Sequence, residues 1–145
     1  MLNSEGAAVG QGVAGDPGGW ALHDRWIVSR LNKTARAVDE ALAAYQFHEA
    51  VYALYHFFWD DFCDWYIELS KADVTAAEAS PERDAARSRA LTVLERALRL
   101  LHPFMPFITE ELWARTAEFG AKREGMLIVE AWPRLSDDLI DPAAE

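Results

Sequence analysis

Arg25, Arg30, Asn32, Lys33 and Arg36 are the residues whose types and spacing point most directly to chemistry. On a helical period, Arg25, Asn32, Lys33 and Arg36 fall opposite the apolar positions Ile27, Leu31 and Val38, and Arg30 sits at the flank. Cations arranged this way can take phosphate oxygens of a folded nucleic acid, and an amide among them can serve as a polar reader. The same strip also fits an ordinary solvated face paired with Asp39 and Glu40. A second basic group, Arg83, Arg87, Arg89, Arg96 and Arg99, is spread around a later helix and interleaved with acids. Tyr52 and Trp59 can stack on unpaired bases or pack into a helical core.

Other chemistries find no matching pattern. A di-iron bundle needs Glu-x-x-His pairs, and none occurs. Glu49, Asp60, Asp64 and Glu68, with His56 among them, lie opposite an apolar stripe and read as a solvated face. Cys63 is flanked by Asp60 and Asp64, which raise a thiol pKa rather than lower it, so it reads as packing. His23, His48, His56 and His102 lack metal-ligand spacing; His102, before Pro103, suits a helix end. The glycines follow no strand and open no phosphate-cradling helix. The chain is expected to hold no catalytic residue, no metal and no cofactor of its own.

Composition sets the frame. The 145 residues are enough for one core, with 51% hydrophobic, 12% aromatic and 26% charged residues. The formal net charge of −10 excludes a nucleic-acid binder that works by total charge. One cysteine excludes a disulfide framework. No apolar run reaches the length of a membrane span, and no signal peptide is evident. A soluble, cytoplasmic chain without membrane contact is expected.

The elements that position the basic strip are helical. Residues 1–19 hold six of the eight glycines and read as a flexible lead-in. A first helix is expected over 22–45, with Asp24 as its N-cap and Ile27, Leu31, Val38, Leu42 and Tyr45 on its apolar face. A second, over 47–71, carries Phe47, Val51, Leu54, Tyr55, Phe58, Phe62, Trp65, Tyr66 and Leu69 as one wide stripe, and should be central to a bundle. Ser80-Pro81-Glu82 starts a third that runs to Leu101, where His102-Pro103 stops it. A fourth starts at Pro106 and ends near Glu118, with Gly120 as the stop. Met126 to Trp132 reads as a short β-like run. The fold class is therefore all-α: a bundle of about four helices over 20–134 with a short C-terminal β-like segment, then an acidic tail over 135–145.

Two segments carry a resemblance: Phe57–Leu69 (FFWDDFCDWYIEL) and Leu100–Trp113 (LLHPFMPFITEELW). Preceded by Arg25–Asn32 (RWIVSRLN) and followed by Ile128–Pro133 (IVEAWP), they resemble the anticodon-binding helical domain of valyl-tRNA synthetases over about residues 20–134. The junction His102–Phe107 favours valine over the leucine, isoleucine and methionine cousins.

The resemblance implies a tRNA-binding part of a valine–tRNA ligase. The parent would use ATP and Mg²⁺ to charge tRNA(Val), with catalysis in a domain whose HIGH-like and KMSKS-like motifs do not occur here. Its partners would be the anticodon stem-loop and the parent's catalytic and C-terminal domains. Within this chain, Arg25, Arg30, Lys33 and Arg36 would contact phosphates or bases, with Asn32 as the reader. In the family a Lys-Leu-Trp-Asn-Ala-like helix precedes the bundle; its place would fall before Met1. A stand-alone helical module that binds a protein partner is the alternative, with Trp59 and Tyr52 as its exposed patch.

Overall fold

A computed structural model describes residues 17–76, 78–119, 125–134 and 136–145. It is an all-α bundle of four helical rods. The expected lead-in lies outside the described residues up to position 16; Pro17–Gly19 form one 3-10 turn.

Helix α1 spans Leu22–Ala43. Its buried apolar residues Ile27, Val28, Leu31, Ala35, Val38 and Ala41 recur at helical spacing and face the core. Asp24 is not its N-cap. Ala21 holds that position without a side-chain bond, and Asp24 lies inside the first turn, 2% exposed. The helix closes with a Schellman pattern: Gln46 N donates to Ala41 O at 2.8 Å and Tyr45 N to Leu42 O at 3.1 Å. Tyr45 occupies the left-handed position at φ 57. It is therefore off the helix and exposed, not on the apolar face.

The second rod is continuous but not uniform. Helix α2 (Phe47–His56) runs through a π-helical stretch (Phe57–Tyr66) into α3 (Ile67–Val74). Its buried residues are Ala50, Leu54, Phe57, Phe62, Tyr66 and Ser70. The five-residue step from Phe57 to Phe62 is a π turn, which rotates every later residue relative to a 3.6 period. That rotation turns Trp65 and Leu69 out to solvent; Phe47, Val51 and Tyr55, which precede it, are exposed as well, and Phe57, left off the expected stripe, is buried. Phe62 and Tyr66 stay in the core with ring centroids 5.7 Å apart.

Helix α4 spans Pro81–Leu101 and starts as its sequence requires. Ser80 Oγ accepts from Arg83 N at 3.1 Å, and Pro81 takes the first turn. At its end His102 Nδ1 meets Thr109 Oγ1 at 2.8 Å, which fixes the turn into α5 (Pro106–Thr116). The expected stop at Gly120 lies outside the described residues. One core cluster joins α1, the second rod and α4, with Trp20 at its edge.

Met126 to Trp132 forms no strand. Leu127–Val129 make a 3-10 turn whose amides are held by the Glu110 carboxylate, Leu127 N at 2.7 Å and Ile128 N at 3.2 Å. Only Leu127 is buried there, against Leu98 and Trp113. Among the described residues this β-like run has no neighbouring strand to pair with, and a side chain satisfies its backbone instead.

Candidate nucleic-acid interface

The sequence-predicted residues share α1, and the structure shows what each one touches. Arg25 Nη1 lies 3.2 Å from Asp141 Oδ2. Arg30 Nε lies 2.8 Å from Asp61 Oδ2, on the π stretch. Lys33 Nζ lies 2.6 Å from Glu145 Oε2, and Arg36 pairs with Asp137. Asn32 is 1% exposed. Its Nδ2 donates to Val28 O at 2.8 Å and its Oδ1 accepts from Ser136 N at 3.1 Å, so both ends of the amide are engaged.

Three of these partners belong to residues 136–145, which lie along α1 instead of trailing from the bundle. Leu139 packs against the core. Asp141 N donates to Ser29 Oγ at 2.9 Å, and Ser29 Oγ donates to Glu145 Oε1 at 2.6 Å. Partial burial pushes the Glu145 carboxyl upward, but hydrogen bonds from Lys33 and Ser29 and the nearby positive charge outweigh it and hold the group below its ordinary value. The basic strip thus exists, with four cations within reach of solvent, but each cation has a carboxylate partner in this state. Asp39, an alternative partner in the sequence, instead accepts from Trp132 Nε1 at 2.8 Å. The signal that could have found the true partners is an acid every fourth residue: Asp137, Asp141, Glu145.

The dispersed arginines of α4 serve the fold. Arg87 Nε donates to Val74 O at 2.8 Å and Arg83 Nη1 to Ala76 O at 3.4 Å, satisfying carbonyls at and beyond the end of α3. Arg99 lies 5.3 Å over the Trp113 ring and bonds Glu130 at 3.0 Å. Arg89 Nε reaches Asp24 Oδ2 at 2.7 Å, while Tyr66 Oη donates to Asp24 Oδ1 at 2.9 Å. Burial, with the Asp24 carboxylate beside it, pushes the Tyr66 hydroxyl far above its ordinary range and keeps it a donor. A single buried carboxylate therefore ties α1, the end of the π stretch and α4 together.

Tyr52 and Trp59 are exposed, 64% and 54%. The Tyr55 and Trp59 rings lie within 5° of parallel at 6.4 Å. Beside them an apolar groove of about 280 Å³ runs between Leu54, Phe58, Leu101 and Phe104. Of the acids expected on the solvated face of the second rod, Glu49, Asp64 and Glu68 are exposed and Asp60 is half-buried, with His56 Nδ1 2.5 Å from Asp60 Oδ2. Burial and Asp64 push the Cys63 thiol up, which keeps it protonated at neutral pH. Among the described residues there is no group of three or more His, Cys, Asp or Glu placed to hold a metal, and no helix long and apolar enough to cross a membrane.

Comparison with known proteins gives this arrangement a family. Residues 24–145 match the model of the anticodon-binding domain of tRNA ligase. The chain is 49% identical over 122 residues to a valine–tRNA ligase of Caulobacter vibrioides, covering 84% of this chain and 13% of that protein. It is 46% identical over 122 residues to the valine–tRNA ligase of Thermotoga maritima, with the same shares. Against that of Neisseria meningitidis serogroup B it is 43% identical over 148 residues, 100% of this chain and 16% of that protein. The chain thus spans about one seventh of the length of these curated relatives. With its four-rod helical bundle and a match over nearly all of its described length, the chain belongs to the family of anticodon-binding domains of tRNA ligases.

Proposed function

We propose that this chain grips the anticodon stem-loop of tRNA(Val) for a valine–tRNA ligase. In this reading Arg25, Arg30, Lys33 and Arg36 take phosphate oxygens and fix register, and splayed loop bases supply identity. Asn32 reads a base only where the Ser136 amide releases it. The catalytic and C-terminal domains of the parent sit elsewhere, and ATP and Mg²⁺ act in the catalytic domain, in the cytoplasm. The observation that carries the proposal is four cations and an amide within residues 25–36 of one helix, in a chain of net charge −10.

The acidity predicts weak binding by the isolated chain, about micromolar or worse at physiological salt. The test is titration of a fluorescent valine-anticodon stem-loop RNA at several salt concentrations, with the unaltered chain and with Lys33→Ala/Arg36→Ala. The double variant should lower the slope of log affinity against log salt by about 1.5, because each lost phosphate contact removes roughly 0.7 to 0.9. An unchanged slope would remove these residues from the interface. The exposed Tyr52 and Trp59 beside the groove favour a second reading, a helical module that docks a protein. That reading requires Trp59→Ala to abolish partner capture while RNA binding is nil in both proteins.

A further inference from the structure

We infer that residues 136–145 are an intramolecular stand-in for the RNA, a docked acidic segment that must leave before the cations of α1 can take phosphates. The inference rests on reading that face as an RNA-binding surface. Asp137, Asp141 and Glu145 recur at four-residue steps, and each sits on a different cation: Arg36, Arg25 and Lys33. Two α1 side chains engage the segment's backbone, Asn32 Oδ1 at Ser136 N and Ser29 Oγ at Asp141 N. The carboxylates thus take three of the four cations and, through Glu145, the Ser29 hydroxyl proton, which are groups the face has to offer an anionic backbone, while the two amide bonds seat the segment.

Its hold is of the kind that competes rather than locks. Its regular structure is one 3-10 turn, and Leu139 is the residue it contributes to the main core cluster. The Asp137 side chain is 77% exposed and its Arg36 partner 43%, so that pair is screened by water and salt. Segments with few buried contacts open at low cost. A face that is open for a fraction of the time binds its ligand with affinity reduced by that fraction. The segment therefore sets a threshold: a single phosphate cannot displace three carboxylates and two amides, whereas a stem-loop backbone that engages several cations together can.

The test uses the whole chain and the fluorescent valine-anticodon stem-loop at about 50 mM salt, where phosphate contacts are least screened. The variant Asp137→Asn/Asp141→Asn/Glu145→Gln should bind about tenfold tighter than the unaltered chain. A control, Glu49→Gln/Asp64→Asn/Glu68→Gln, removes the same charge from the solvated face of the second rod and should change affinity less than about twofold. In the unaltered chain, hydrogen exchange at the Ser136 and Asp141 amides should accelerate when RNA binds. If the triple variant does not melt cooperatively, Asp137→Asn alone, expected at about twofold tighter, and the exchange measurement decide. Equal tightening by the control would make the effect one of net charge and overturn the inference. So would unchanged affinity with Ser136 and Asp141 still protected in the complex. If no folded protein in the set binds the stem-loop, the RNA reading of the face itself fails and the inference falls with it.

Discussion

Replacing Asp24 with alanine should be among the most damaging single changes in the bundle. Asp24 is 2% exposed, and its two oxygens serve Tyr66 and Arg89 from two other rods. Arg89 is only 14% exposed in its side chain, so losing Asp24 leaves a cation with little water and no countercharge. Breaking such a pair from one side costs about 3–5 kcal/mol. Tyr66→Phe removes one hydrogen bond to a charged acceptor but leaves the Asp24–Arg89 pair, at about 1.5–3 kcal/mol. For a domain of this size each kcal/mol lowers Tm by about 3 °C, so the expected falls are roughly 12 °C and 6 °C. The decisive arm is a double-mutant cycle in urea. Asp24→Ala/Arg89→Ala should cost less than the sum of the single changes by about 2 kcal/mol, because the second substitution removes the charge that the first one stranded. Additive costs, or a loss below about 1 kcal/mol for Asp24→Ala, would refute the claim that this carboxylate joins the three rods.

Three further outcomes are expected. Tyr66 has its folded-state pKa raised by burial and Asp24, so its contribution is fully present below the unfolded value of about 10 and is lost as pH rises beyond it. The urea midpoint should fall above pH ~10, and Tyr66→Phe should flatten that dependence. Ser80→Ala should cost about 1 kcal/mol in urea unfolding, because the cap to Arg83 N goes unmade. Glu110→Ala strands the Leu127 and Ile128 amides and should raise their hydrogen exchange at least about tenfold, against little change at the core residue Leu98.

Much of the bundle was legible because helix signals are local. Ser80-Pro81 and His102-Pro103 bound α4, and each acts through a neighbour within four residues. Helical period likewise put the four cations on one partly exposed face of α1, but it also put Asn32 there, and the structure buries Asn32 at 1% exposure beneath the Ser136 amide. What failed depends on geometry that a fixed period does not carry. The π stretch adds a residue between Phe57 and Phe62, so a 3.6-residue wheel assigns Trp65 and Leu69 to a core they do not reach. Asp24 has the composition of a cap, but its carboxylate is used by Tyr66 and Arg89, 42 and 65 residues away. Met126–Trp132 has the composition of a strand but no partner strand among the described residues, and Glu110 takes the Leu127 and Ile128 amides. The pairing of the strip with residues 136–145 is equally long-range: Ser29 and Glu145 are 116 positions apart. An acid every fourth residue is a pattern, but nothing local says which surface receives it.

The most direct test of the central claim is binding of this chain to tRNA(Val) beside the same tRNA with its middle and third anticodon bases changed, at low and moderate salt. The account predicts tighter binding to the native anticodon, by about tenfold or more if one base is read through hydrogen bonds or stacking, with the preference surviving as salt weakens both. Equal binding to the native and the altered tRNA by a folded chain would contradict it.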